Sequence, residues 1–481
     1  MKKTIILALA LALLGGAAYA NFGSRDNVPA STLLVPYIVI DTNAAGTPDP
    51  TGYQTLTVVT NVSSIKQLIH ITVYAADSSP VIDFDEVLSG YDVWSINWRD
   101  LVTGDFEHFD TGSATNPAGA ATPGGLKGFW TAPTYTATVS AVSPSAWGPT
   151  ANRGAQTIPP PIDIDAGSNA GCGFPWGYLG VYSPAIIQEL QAPLVPWPNQ
   201  DTTCIKPGSY ITNWGGWLST LTAQPLFFYA IIDSVNACNG DFPDTALGDY
   251  WKYLTQLNTL AGDDFYLDFE TNYSESLPTV NIESSSDIDY NYVGFYSAYK
   301  ADSGNLDNYE DNHEPLPTAW AFNYFQNGGV TTEVGVWKNY DDFEFLPNYV
   351  LGCQPYIYFA FDESENSRAS QSQTCPSGTY CLQPEPNVFP FQTQKVAVNQ
   401  TNFDGLMSGN GWMLLVFDPS IYGQDGAYND TYLQTYVFVK YNFGGFTTMN
   451  EATEMSNVWW QGNSQMMPYF NTYNGLNTYY E

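Results

Sequence analysis

Positive charge is what this chain has least of. Its 481 residues carry 14 Lys and Arg against 48 Asp and Glu, a net charge of −34. Such a field repels phosphate backbones and anionic headgroups, so neither nucleic acid nor a peripheral membrane contact is an expected partner. Histidine is scarcer still, with only His70, His108 and His313, and no CxxC pair accompanies them, which leaves zinc without support. The sequence has no GxSxG elbow, the mark of one large class of serine hydrolases. After the first twenty residues there is no long hydrophobic run, so no membrane span is expected. Charged residues total 13%, so the imbalance comes from missing cations more than from crowded acids. Aromatic residues at 15% supply ample material for a core, which argues against disorder.

What is present begins with a leader. Lys2-Lys3 precedes an apolar run from Ile5 to Leu14, and Ala18-Tyr19-Ala20 fits the small-x-small cleavage pattern. Residues 1–20 are therefore expected to be a signal peptide cleaved after Ala20, giving a secreted protein: extracellular, on the cell surface or in the periplasm. No cysteine follows the leader closely, so no lipid anchor is expected. In an oxidising compartment the even set Cys172, Cys204, Cys238, Cys353, Cys375 and Cys381 suggests up to three disulfides, with 15 connectivities. Cys375–Cys381 is the expected local pair, because Pro376-Ser377-Gly378 can turn the chain back between them. Partners for the other four stay open.

Strand signals dominate the rest. Residues 32–41, 53–62, 68–74, 81–87 and 91–98 are short runs rich in β-branched and aromatic residues, mostly alternating and separated by turn residues. One apolar face per strand predicts an antiparallel sandwich with water on its outer side. Further strands are expected at 226–233, 265–269, 292–299, 319–324, 331–337, 356–361, 393–398, 412–417 and 433–441. One helix is expected at 249–260, where Tyr250, Tyr253, Leu254, Leu257 and Leu260 fall at helical spacing. The fold class is thus mostly β, with antiparallel sandwich domains of immunoglobulin-like or jelly-roll-like type, long loops and few short helices. The expected division is an N-terminal sandwich over 21–110, a Gly/Pro/Ala-rich linker or insertion over 111–200, a larger β-rich domain over 201–460, and a tail over 461–481. A faint echo runs between the halves. The series 55–61, 71–77 and 91–100 resembles 332–339, 356–362 and 391–399, through either convergent strand composition or a duplicated sandwich.

Several of these residues carry a resemblance. Pro29-Ala-Ser-Thr-Leu-Leu-Val-Pro-Tyr37, Val59-Thr-Asn-Val-Ser63, Val81-Ile-Asp-Phe-Asp85, Leu88-Ser-Gly-Tyr-Asp-Val93 and Ile96-Asn-Trp-Arg-Asp100 are similar to a family of bacterial exported proteins. Glu314-Pro-Leu-Pro-Thr318 and the segment from Phe391 to Phe417 extend the likeness, which is most specific over residues 29–104. The resemblance implies export and a β-rich architecture; it implies no activity, cofactor or catalytic residue.

For chemistry, glycoside hydrolysis needs two carboxylates across a cleft. Asp83, Asp85, Glu86, Asp263, Asp264, Asp268, Glu270, Asp341, Asp342 and Glu344 are too many to single out a pair, so solvated strand faces are the plainer reading. Glycan binding needs exposed flat aromatics. Trp214 and Trp217, flanking two glycines, are the candidates, followed by Trp459-Trp460. Calcium, the one candidate cofactor, needs six to eight oxygens on a loop. Asp302, Asn305, Asp307, Asn308, Glu310 and Asp311 offer them, without EF-hand spacing. The function expected is a secreted or surface-associated non-enzymatic structural or adhesive protein, with self-association or cell-surface components as partners. The alternative is a secreted carbohydrate-binding or glycan-cleaving protein.

Overall fold

The computed structural model describes residues 28–76, 80–103, 225–236, 254–255, 257–284, 316–317, 319–338, 356–369, 372–374, 380–382, 392–403, 405–417, 434–444 and 447–456, with 187, 190, 313 and 389. Every strand pairing among them is antiparallel, and the chain is a β-sandwich protein as expected.

The first sandwich holds β1 (Thr32–Ile40), β2 (Tyr53–Asn61), β3 (Gln67–Ala75), β4 (Pro80–Leu88), β5 (Val93–Asn97), helix α1 (Trp98–Thr103), β6 (Leu226–Val235), β7 (Leu260–Asp268), β8 (Tyr273–Pro278) and β9 (Val280–Ile282). The second holds β10 (Ala319–Tyr324), β11 (Thr331–Lys338), β12 (Ile357–Asp362), β13 (Ser367–Ala369), β16 (Thr393–Ala397), β17 (Gly411–Val416), β18 (Thr435–Asn442), β19 (Thr447–Glu451) and β20 (Thr453–Ser456), with a hairpin of β14 (Ser372–Thr374) and β15 (Tyr380–Leu382) beside it.

The two have one topology. The first pairs β4-β3-β6-β1-β9 in one sheet and β5-β2-β7-β8 in the other. The second pairs β13-β12-β17-β10-β20 and β16-β11-β18-β19. Setting the hairpin aside and renumbering from β10, both orders coincide strand for strand. Side chains repeat the match. Thr55 accepts from Val39 N–H at 3.0 Å and donates to Val39 O at 3.1 Å. In the second sandwich Thr332 accepts from Phe325 N–H at 2.8 Å and donates to Phe325 O at 3.1 Å. The residue paired with each threonine is a tyrosine, Tyr266 or Tyr441. Each hydroxyl donates to the carbonyl two residues earlier, Tyr37 O at 2.8 Å and Asn323 O at 3.0 Å. Convergent strand composition would not place a threonine–tyrosine clasp at the same lattice point twice, so the faint sequence echo is a repeated fold.

These pairings correct the expected domain boundaries. β1 pairs with β6 and β9, and β2 with β7, so residues 21–110 close no sandwich alone. The division between sandwiches falls between Ile282 and Ala319, and the Gly/Pro-rich stretch is an insertion between α1 and β6. Ile187 and Leu190 from that stretch join the first core beside Trp98, Leu101 and Val102. The expected helix at 249–260 is also corrected: Leu254 bridges Val235 as β structure, and Leu260 opens β7. Of the residues at that spacing, Tyr250 and Tyr253 lie outside the described chain, Leu254 is half-buried, Leu257 is exposed and Leu260 is buried. Strands β8, β9, β13, β14, β15, β19 and β20 lie outside the runs expected from sequence, because they are short or carry mostly polar residues.

Water does not cover one side of every strand either. β1 and β3 are buried at every position, and β6 at nearly all. Their sheet is an inner layer: one face meets β2, β5 and β7, the other meets the second sandwich. Tyr229 packs edge-on to Trp337 with ring centroids 5.9 Å apart, and Tyr37 lies 5.5 Å from Phe438. Thr393 donates to Pro36 O at 2.5 Å, where β1 bulges. The β5-β2-β7-β8 sheet also reaches the second sandwich directly, where β8 meets β18 and β19, so Tyr266 and Leu277 share one core with that sandwich.

Residues of the 29–104 segment brace this frame. Asn97 caps α1 by accepting from Arg99 N–H at 3.0 Å. Trp98 Nε1 donates to Thr57, which donates to Asp264, all three buried. Asn61 donates to Ile65 O and Ser89 O, tying two loops together. Gly90 sits so close to Ser64 that a Cβ would lie 2.3 Å from its carbonyl oxygen, so no other residue fits there without a shift.

Candidate functional site

Most residues singled out from sequence lie outside the described chain: Trp214, Trp217, Trp459 and Trp460, the loop residues Asp302, Asn305, Asp307, Asn308, Glu310 and Asp311, and Cys172, Cys204, Cys238, Cys353 and Cys375. The backbone of Cys381 lies in β15, opposite Gln373. Among the described residues no group of three His, Cys, Asp or Glu could hold a metal ion.

The described histidines do meet acids. Asp85, His70, Asp233 and Thr32 stand side by side across β4, β3, β6 and β1, on the face turned toward the second sandwich. His70 Nδ1 lies 2.9 Å from Asp85 Oδ1. Thr32 donates to Asp233 at 2.6 Å, so its single proton is committed, and His313 Nε2–H donates to the Thr32 oxygen at 3.1 Å. A nucleophilic hydroxyl needs the reverse, with imidazole accepting its proton. All five residues are buried, so the row pins strands together and does not meet a substrate.

Glu86, on the opposite face of β4, is buried with no ionic partner at hydrogen-bond distance among the described residues, and burial pushes its carboxyl up to about 8. The folded protein thus holds a proton that the unfolded chain releases near pH 4.5, so this group favours folding at low pH. That contribution fades as pH rises from about 4.5 to 8. Glu86→Gln should flatten this part of the stability profile and raise stability at pH 8 by about 2 kcal/mol. That is less than the full shift implies, because a buried carboxylate relaxes toward water on ionising. Urea unfolding of both proteins at pH 5 and pH 8 checks it; equal differences at the two pH values would contradict it.

The sandwiches are locked by a polar joint that sequence reasoning missed. Glu275 on β8 accepts from Tyr53 at 2.5 Å, from Lys440 on β18 at 2.8 Å and from the Tyr273 hydroxyl. Lys440 Nζ also lies 4.7 Å from the centre of the Tyr53 ring, a cation–π contact. Burial lowers the Lys440 pKa, helped by nearby Lys395 and opposed by Glu275. Burial likewise raises Tyr53. These residues are far apart in sequence and follow no motif, so only folding reveals them.

The remaining surface of interest is on two outer sheet faces. On the outer face of β5-β2-β7-β8, Leu56, Val58, Phe265 and Leu267 are half-buried and Val93 is 61% exposed, with Asp263 exposed among them. On the outer face of the β12 sheet, Trp412 is 41% exposed and stacks flat on Phe361 at 4.3 Å. Ala321 and Asn323 flank this pair, while Phe359, Leu414 and Val416 farther along are buried. Trp412 follows Gly409-Asn410-Gly411, the same glycine-flanked signal that drew attention to Trp214 and Trp217. Comparison of the chain with family models, curated proteins and solved structures gives no match.

Proposed function

We propose that this is an exported, non-enzymatic structural or adhesive protein, released or held at the cell surface. One observation carries the reading: two copies of one sandwich fold are fused through a shared core of buried aromatic and aliphatic side chains. Paired disulfides, Cys375–Cys381 among them, and calcium on the 302–311 loop belong to the same proposal as staples for an extracellular module. The test uses the mature chain. Labelled protein should be retained on the producing cell's envelope and release no sugar from its glycans. Its melting midpoint should fall in EDTA, because an ion that binds only the folded state stabilises it. Glycan release would favour an enzyme instead.

A second reading, glycan binding, is favoured by the exposed Trp412–Phe361 pair, since sugar rings stack on such surfaces. Under it, oligosaccharides quench tryptophan fluorescence in the native chain and Trp412→Ala abolishes the response.

A further inference from the structure

Strand β5 is a sheet edge. It pairs with β2 and, among the described residues, with no other strand. Asn61 N–H donates to Asp92 O at 2.9 Å, which sets the alternation along the ladder. Trp94 and Ile96 turn their peptide groups to β2, while Val93, Ser95 and Asn97 turn theirs outward. Val93 is 61% exposed and Ser95 is exposed as well, so this outward side meets solvent. The Val93 N–H is held by the Asp92 carboxylate at 3.0 Å. That leaves Val93 O, Ser95 N–H, Ser95 O and Asn97 N–H to bond outward. The equivalent edge of the second sandwich, β16, is capped within the chain: the Gln392 and Thr393 N–H groups donate to Ala76 O at 2.8 and 3.4 Å. Nothing comparable caps β5 among the described residues. Nor does Val93–Asn97 carry the lysine, proline or bulge that usually blunts an edge.

We propose that β5 is the pairing edge of a symmetric dimer, occupied by β5 of a second copy running antiparallel. A two-fold axis at Ser95 matches every group named above. Ser95 N–H of each copy donates to Ser95 O of the other, and each Asn97 N–H donates to Val93 O of the other. The two β5-β2-β7-β8 sheets then form one continuous sheet, a case of strand addition. Charge favours the chain's own copy at this edge. In a chain of net charge −34, Val93–Trp98 has no charged residue, so two copies can meet there with the least repulsion. The contact is isologous, which closes the assembly at two. This inference deepens the structural reading above by naming a partner.

Sedimentation velocity on the mature chain tests it, at concentrations up to on the order of 100 µM, since so short an edge makes an interface of transient size. A monomer–dimer equilibrium that grows no further is expected, with more dimer at high salt. Ser95→Pro should be monomeric with a melting midpoint near that of the native chain, because the N–H it removes serves no bond inside the fold. Ser95→Cys reads the register directly. Opposed residues of a bonded antiparallel pair stand about 5.5 Å apart at Cα, within disulfide reach. Oxidation should therefore link Ser95→Cys into a covalent dimer beyond the native background, whereas Ser274→Cys, exposed on β8, should stay at that background. A native chain that stays monomeric, species larger than the dimer, or equal cross-linking at the two positions would overturn the proposal. A folded Ser95→Pro that still dimerises would do the same, and if that variant unfolds, the cross-link decides. Retention on the envelope separates the two levels: a retained monomer sinks edge pairing and leaves the structural reading standing, and a dimer that is not retained does the reverse.

Discussion

Glu275→Ala is expected to destabilise the protein by about 3–5 kcal/mol, as for other broken buried ion pairs. The Lys440 side chain is only 12% exposed and Glu275 only 4%. Removing the carboxylate strands a buried ammonium and takes the acceptor from the Tyr53 and Tyr273 hydroxyls. The same charges make the pair a poor source of net stability, because both were desolvated to form it. Glu275→Gln/Lys440→Met should therefore recover most of the loss. Guanidinium unfolding of the single and double variants measures the coupling. Because the joint spans the sandwiches, Glu275→Ala should also split the unfolding curve into two transitions. A loss below 1 kcal/mol with one unchanged transition would show that the joint does not couple them.

Phe438→Ala should cost about 3–5 kcal/mol, the range for deleting a buried aromatic. Phe438 is fully buried, packs on Tyr37 across the interface, and lies directly over Gly335 on the neighbouring strand. A Cβ at 335 would sit 2.0 Å from the Phe438 ring, so Gly335 supplies the space the ring occupies. Gly335→Ala alone should cost about 1–3 kcal/mol through overpacking. The double variant Gly335→Ala/Phe438→Ala should be more stable than the sum of the single losses predicts, because the added methyl enters the cavity. Strict additivity would mean the two residues do not share that space.

Much of the β architecture was legible from local pattern. The runs at 32–41, 53–62, 319–324 and 331–337 became strands almost residue for residue, since alternation and β-branched residues report on the strand itself. The site was not legible. Glu275, Tyr53 and Lys440 come from strands β8, β2 and β18, and no spacing rule links them. Asp85, Glu86 and Asp264 were noticed as acids, but a sequence cannot say that one meets His70, one stands unpaired and one holds Thr57. The continuous apolar runs of β1 and β6 did contain a clue, because a strand without a polar face has no side to give to water.

By itself, the sequence determined the secondary-structure class, where most strands lie, and a charge that repels other polyanions. Those properties depend on neighbouring residues or on simple totals. Tertiary structure alone decided that eighteen strands among the described residues divide into two equal sets, that the Gly/Pro-rich stretch interrupts the first, and that the β1 sheet is buried on both faces. A strand's period of two says which side chains share a face, but not which sheet covers that face. That choice is made by pairings such as Thr32 with Asp233, some 201 residues apart.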